Sequence, residues 1–146
     1  MNKLKYFSAV LAFWSCMAAG AVFAERLAIS SSIANIRSGP GKSHEILWKV
    51  EKYYPILVER KSGEWYGFTD YEGDKGWVHK SLVKDIPTAI TTKEKCNVRS
   101  GPGTDNPVVF SVSSGIPFKI IGKKGSWRQV LHADGDKGWI HNSLLW

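Results

Sequence analysis

The stretch Asn35-Ile36-Arg37-Ser38-Gly39-Pro40-Gly41 returns as Asn97-Val98-Arg99-Ser100-Gly101-Pro102-Gly103, 62 residues further along the chain. The same offset carries Pro55 onto Pro117 and Trp65 onto Trp127. It carries Gly73-Asp74-Lys75-Gly76-Trp77-Val78-His79 onto Gly135-Asp136-Lys137-Gly138-Trp139-Ile140-His141, and Ser81-Leu82 onto Ser143-Leu144, without a gap. A fixed internal period decides architecture before any single residue does. This unit is longer than the repeats of solenoids, roughly 20–50 residues, so each copy is read as a small domain. Function is then something two tandem modules do together.

Working outward from the repeated turn, β-prone segments separated by turn residues fill both copies, and no helical period is sustained. The pattern predicts strands near 26–30, 33–37, 45–50, 55–60, 64–70 and 75–79. In the second copy they fall near 88–92, 95–99, 107–112, 117–122, 126–132 and 137–141. Gly39-Pro40-Gly41 and Gly101-Pro102-Gly103 supply tight turns with room for positive φ. Glu72-Gly73-Asp74 and Asp134-Gly135-Asp136 read as hairpin tips. Ser81-Leu82-Val83 and Ser143-Leu144-Leu145 read as single helical turns. Five or six short strands in about 60 residues, with no helix to cover a sheet, point to an all-β chain of two small closed or nearly closed barrels, and closure removes exposed edges.

Lys3 and Lys5, an apolar run from Tyr6 to Phe23, and the small residues Val22 and Ala24 form the three-part pattern of a secretory signal peptide. The domain organisation expected is a signal peptide over 1–24, one module over 25–84, a linker over 85–87 and a second module over 88–146. An uncleaved membrane anchor was weighed against this, because the apolar run approaches spanning length. Ala18-Ala19-Gly20-Ala21 favours cleavage, after which the protein is not integral to a membrane. Losing Lys3 and Lys5 leaves 18 of the chain's 20 Lys and Arg against 13 Asp and Glu, a net charge of +5. Both signs are interspersed, so the surface is either ordinary or mildly attracted to an anionic polymer. Nucleic acid is not the expected partner of an exported chain. Cys96 is the single thiol beyond the leader, so no intramolecular disulfide is expected. Its repeat partner is Ala34, which favours a buried apolar role over a disulfide-linked dimer or a reactive thiol.

Asn-Ile/Val-Arg-Ser-Gly-Pro-Gly, a strand opened by Pro (preceded by Gly-x in the second copy), a Trp-bearing strand and Gly-Trp-Ile/Val-His-x-Ser-Leu, in that order and twice, resemble the bacterial SH3 domain. The resemblance covers essentially all of 26–146. It implies SH3-like β-barrels and, as in many members of that family, binding to peptidoglycan or its peptide cross-bridges. The eukaryotic SH3 groove sets a Trp, a Pro and a Tyr against polyproline helices. Here Trp65 and Trp127 stand at the Trp position, but His79 and His141 replace the Pro and Leu82 and Leu144 replace the Tyr. Proline-rich recognition is therefore not expected.

Trp65 and Trp127 are the leading ligand-contact candidates, because an indole stacks on a sugar face while its edge donates a hydrogen bond. Core packing is the equal alternative in so small a domain. Tyr54, Tyr66 and Tyr71 have Ile116, Arg128 and Ala133 as repeat partners, so the common scaffold does not require them. Together with Trp65 they make the first module the preferred binding half, with Trp127 and Arg128 the counterpart. Trp77 and Trp139 are read as structural. Arg37 and Arg99 either fix the Gly-Pro-Gly loop through its carbonyls or clamp a ligand carboxylate. His79, His132 and His141 lack zinc-ligand spacing, so no metal and no cofactor is expected. The sequence offers no nucleophile elbow, no phosphate loop and no placed carboxylate pair, and the expectation is a non-enzyme. The expected partner is peptidoglycan or, alternatively, an envelope or host protein, met in the periplasm or outside the cell.

Overall fold

The computed structural model describes residues 24–146. The expected signal peptide thus lies outside the described residues save for Ala24. The first module contains β1 (Glu25–Ile29), β2 (Ile33–Arg37), β3 (Ile46–Glu51), β4 (Pro55–Ser62), β5 (Trp65–Thr69), β6 (Lys75–His79) and β7 (Val83–Lys84). The second contains β8 (Thr88–Ile90), β9 (Cys96–Arg99), β10 (Val108–Val112), β11 (Pro117–Lys124), β12 (Trp127–Leu131) and β13 (Lys137–His141). Two 3-10 turns, Lys80–Leu82 and Asn142–Leu144, follow β6 and β13. Each begins one residue before the turn read from the sequence. Val83 leaves the first of them to pair with Ile29.

All pairings are antiparallel. The first sheet has the order β3-β2-β6-β5-β4-β1-β7 and the second β10-β9-β13-β12-β11-β8. Where the first ends on β7, the second has only the bridge Thr91–Leu145. Neither ladder closes on itself, which removes the closed form from the expectation of small closed or nearly closed barrels. The reason lies in β3 and β10, each of which pairs on one side only, with β2 and β9. Closure would need a partner for their outer edges, and the order of the sheets supplies none.

Alternation sets the inward faces. In β2, Ala34 and Ile36 are buried while Ile33, Asn35 and Arg37 point outward. The long strands β4 and β11 shift register between Val58 and Arg60 and between Ile120 and Gly122. These bulges bend each sheet around its core. The two cores are filled by a transposition. In the first, Phe68 on β5 shares the core with Ile56 on β4; in the second, Phe118 on β11 stands at the position of Ile56 and Val130 at that of Phe68. All four are fully buried. A second transposition lies on the outer face, where a long side chain crosses to a glycine directly opposite. Arg60 lies over Gly67, and Gln129 over Gly122.

Two backbone positions need particular residues. A Cβ on Gly101 would sit 2.7 Å from Asn106 Oδ1, and one on Gly39 would collide with the His44 ring. The first glycine of each repeated turn therefore makes room for a side chain five residues on. Of the four glycines in the two Gly-Pro-Gly turns only Gly103 takes a positive φ, so the expected demand for left-handed backbone at this turn is mostly a demand for space. The second position is Tyr53, with φ +72°, whose repeat partner Gly115 has φ +80°.

Several contacts join the modules. Arg26 Nη2 donates to the carbonyls of Trp146 (2.9 Å) and Thr88 (3.3 Å), and its guanidinium lies 4.2 Å from the Trp146 ring centroid. Burial lowers the pKa of this guanidinium. His132 Nε2 approaches Glu51 Oε1 at 3.4 Å. Tyr71 reaches Gly115, where an added Cβ would meet its hydroxyl at 2.9 Å.

Candidate functional site

The outward residues of β2 form one wall of a cleft whose other wall is Trp65 and His79. These two are direct cross-strand partners on β5 and β6, and their rings meet edge to face at 5.2 Å. Ile33, Asn35, Arg37, Lys42, Trp65, His79 and Leu82 line it. The second module repeats it with Lys95, Asn97, Arg99, Thr104, Trp127, His141 and Leu144. Every lining position of one cleft is the 62-residue counterpart of a lining position of the other. Trp127 and His141 meet at 5.3 Å, again edge to face. The clefts hold about 170 Å³ and about 290 Å³, at or below the roughly 300–1,000 Å³ of enclosed ligand pockets.

Backbone chemistry sets each side chain in place. Arg37 Nη1 donates to the carbonyls of Lys42 (3.0 Å) and His44 (2.9 Å), and Arg99 Nη1 to those of Thr104 (3.1 Å) and Asn106 (2.9 Å). The guanidinium thus holds the Gly-Pro-Gly loop, the first of the two roles open to it, while forming part of the cleft wall. His79 caps the 3-10 turn: its Nδ1 accepts from the Ser81 backbone N–H at 3.2 Å and lies 2.7 Å from Ser81 Oγ. His141 does the same with Ser143. An acceptor at Nδ1 places the hydrogen of the neutral ring on Nε2.

The aromatic cluster expected around Trp65 is divided. Tyr66 follows Trp65 on β5 and so faces the other way; it packs on the core edge with Lys61 Nζ 5.3 Å from its ring. Tyr54 donates to Asp70 Oδ2 at 2.8 Å and meets Tyr71 edge to face at 6.2 Å, both beside the module junction. Burial and then the Asp70 contact push the Tyr54 hydroxyl well above its usual range; burial and then Glu72 push Tyr71 up to about 12. Tyr54 helps line a different recess, with Ile33, Trp48, Glu51 and Gly115. Arg128 Nη1 donates to the carbonyls of Gly125 and Trp127, which occupies it within its own hairpin. The Arg60 guanidinium lies 4.8 Å from the Trp77 ring. Cys96 is buried with Sγ 3.4 Å from the Lys93 carbonyl, and burial raises its pKa, so it packs as Ala34 does in the first module.

Asn35, Asn97 and the residue pairs 33/95 and 42/104 were not among the residues placed in the groove from the sequence. The alternation of β2 carried the signal for Ile33 and Asn35, which share one face with Arg37. Among the described residues, no group of three or more His, Cys, Asp or Glu is arranged to hold a metal ion, and no helix is long and apolar enough to cross a membrane.

With this geometry in hand, comparison with known proteins is informative. The family model of the bacterial SH3 domain matches residues 30–85 and again 92–146. The chain is 30% identical over 130 residues to YrvJ of Bacillus subtilis (strain 168), whose name provisionally assigns it as an N-acetylmuramoyl-L-alanine amidase; the match covers 80% of this chain and 24% of that protein. It is 40% identical over 52 residues to LytH of Staphylococcus epidermidis, provisionally named a cell wall amidase, covering 35% of this chain and 18% of LytH. The chain thus spans about a quarter or less of the length of these relatives. Among solved structures it is similar to an NlpC/P60 family protein of Bacillus cereus, with a TM-score of 0.40, 14% identity, and 84% and 56% of the two chains covered. NlpC1 of Trichomonas vaginalis gives 0.39 and 11%, covering 88% and 47%.

Proposed function

We propose, from the premise that this chain belongs to the bacterial SH3 domain family, that it binds peptidoglycan without chemistry, through two equivalent clefts. The observation that carries the reading is the recurrence of the whole Trp-His-Asn-Arg lining at one offset in both modules. Packing alone does not require outward-facing residues to recur. The names of the two amidases place the shared segment in proteins that act on the cell wall, which supports the choice of polymer. An exported chain, freed of residues 1–24 and residing in the periplasm or outside the cell, suits that ligand. A single shallow cleft holds little of it. Two clefts joined through the short linker raise the effective local concentration of the second contact, so avidity supplies the grip.

The test is sedimentation of the protein with purified sacculi at low salt. Wild type is expected in the pellet, Trp65→Ala or Trp127→Ala partly released, and the double variant mostly in the supernatant. Wild-type protein left in the supernatant at low salt would end the reading. A protein-docking role is then favoured by the exposed pairs Ile46-Leu47 and Val108-Val109 at the starts of the edge strands β3 and β10.

A further inference from the structure

We infer that the clefts take carboxylate-bearing segments of the wall polymer, and that the second cleft is built for a segment anionic at both ends; this rests on the cell-wall reading above. Neither lining contains an Asp or Glu. Each contains two permanent cations, Arg37 with Lys42 and Lys95 with Arg99. The ion pairs seen among the described residues join Lys61 to Glu25, Lys80 to Glu64, and His132 to Glu51 and Asp134. None of them compensates the four cleft cations. The loop carbonyls that hold Arg37 and Arg99 fix the guanidinium without neutralising it. The indole N–H only donates, and with Nδ1 of each His ring engaged by the Ser81 or Ser143 backbone N–H, Nε2 is the ring nitrogen left for a ligand. The lining therefore offers mainly donors and positive charge. The complementary group accepts only and is negative, which describes a carboxylate.

The two clefts distribute that charge differently. Ile33 and Lys42 of the first become Lys95 and Thr104 in the second. In the first cleft Lys42 sits with Arg37 at the loop end, and Ile33 and Leu82 leave the other end apolar. In the second, Lys95 stands just before β9 and Arg99 at its end, four residues on. At about 3.3 Å per extended residue their Cα atoms are roughly 13 Å apart. The first cleft thus matches a segment with one anionic and one apolar end. The second matches a segment with carboxylates at both ends.

The experiment follows the indole N–H signals of Trp65 and Trp127 in the 15N-labelled protein with both modules intact, so each cleft reports separately. Three probes are titrated: muramidase-released disaccharide peptides with free carboxyls, the same fragments with every carboxyl amidated, and polyglycerol phosphate. Acidic fragments are expected to move both signals, with amidation weakening the Trp127 response more than the Trp65 response. Lys95→Ile should weaken the acid fragments at Trp127 by about two- to fivefold at low salt, as an exposed charge pair does, and less at high salt. Ile33→Lys should strengthen them at Trp65 by a similar factor. Both positions are exposed, and each change copies a residue or residue type of the sister module, so the fold is not at stake; the acid-against-amide comparison needs no variant at all. Amidated fragments binding as tightly as acids would overturn the inference while sacculus sedimentation persists. Polyglycerol phosphate displacing the acids from both clefts would also overturn it, because the clefts then read phosphate. If neither sacculi nor fragments engage, the cell-wall reading falls with it.

Discussion

Phe68→Val, Ile56→Phe and the double variant form a cycle whose outcome the second module already displays. Phe68 is fully buried, in the same core as Ile56, and Val58 lies directly opposite it in the β4–β5 ladder. Ile56 is two residues from Val58 on the same face, so it is the diagonal neighbour of Phe68 and within reach of its ring. Replacing the ring by Val leaves a cavity and should cost about 2–3 kcal/mol. Adding a ring at position 56 overpacks an intact core and should cost about 1–3 kcal/mol. The double variant recreates the Phe118–Val130 arrangement, in which both residues are fully buried. It should recover most of both losses, with a shortfall of about 1 kcal/mol because Phe68 also meets Trp48 edge to face at 6.5 Å. The assay is urea unfolding of the whole chain. With a slope of roughly 1–1.5 kcal/mol/M, a 2 kcal/mol loss lowers the midpoint by roughly 1.3–2 M. A double variant whose loss equals the sum of the singles would show that the two sites do not share one volume, and the transposition argument would be wrong.

Three further outcomes are expected. Gly115→Ala should lower stability by about 1–2 kcal/mol through its left-handed backbone and disturb Tyr71 as well, whereas Tyr53→Gly, which relieves the same backbone strain, should be neutral or slightly stabilising; thermal unfolding of the pair decides it. His132 has its pKa raised: burial alone would lower it, but the contacts with Asp134 and Glu51 outweigh that. A raised folded value means that the stabilisation is fully present below the unfolded pKa and is lost as pH rises through the folded one. The stability difference between wild type and His132→Gln should therefore be largest between about pH 5 and 6.5 and vanish in mild alkali; a difference independent of pH would refute the clasp. Arg26→Ala should remove about 1–2 kcal/mol of contact between the modules. Calorimetry is expected to show their transitions moving apart, and an unchanged profile would mean that the modules are not coupled there.

The strands were legible because alternation and turn chemistry act locally, and the gapless repeat allowed each copy to check the other. β7 was not, because Val83-Lys84 has no pattern of its own and is a strand only where Ala28 and Ile29 pair with it. Openness of the sheets was equally hidden: the edge of β3 is a property of what lies beside it. At the site, Trp65, Trp127, His79, His141, Leu82 and Leu144 could be placed by analogy with a known groove. The tyrosines could not, since Tyr66 faces away through strand parity and Tyr54 is drawn to Asp70 by a hydrogen bond that spans 16 residues. Asn35 and Asn97 went unread for a simpler reason. A polar residue on an outward strand face is ordinary until its neighbours across the sheet are known.

Tandem modules this alike face a hazard during folding, because strands of one are near-copies of strands of the other and lie on the same chain. The transposed phenylalanines make such exchanges self-defeating. If β4 paired with β12, the shared core would receive Ile56 and Val130 and be left with a hole. If β11 paired with β5, it would receive Phe118 and Phe68 and be overfilled. On the outer face the same two exchanges would set Arg60 against Gln129, or Gly122 against Gly67, in place of one long side chain lying over one glycine. Each correct partner is thus recognised from both sides of the sheet at once, and a mispaired chain has reason to come apart and try again.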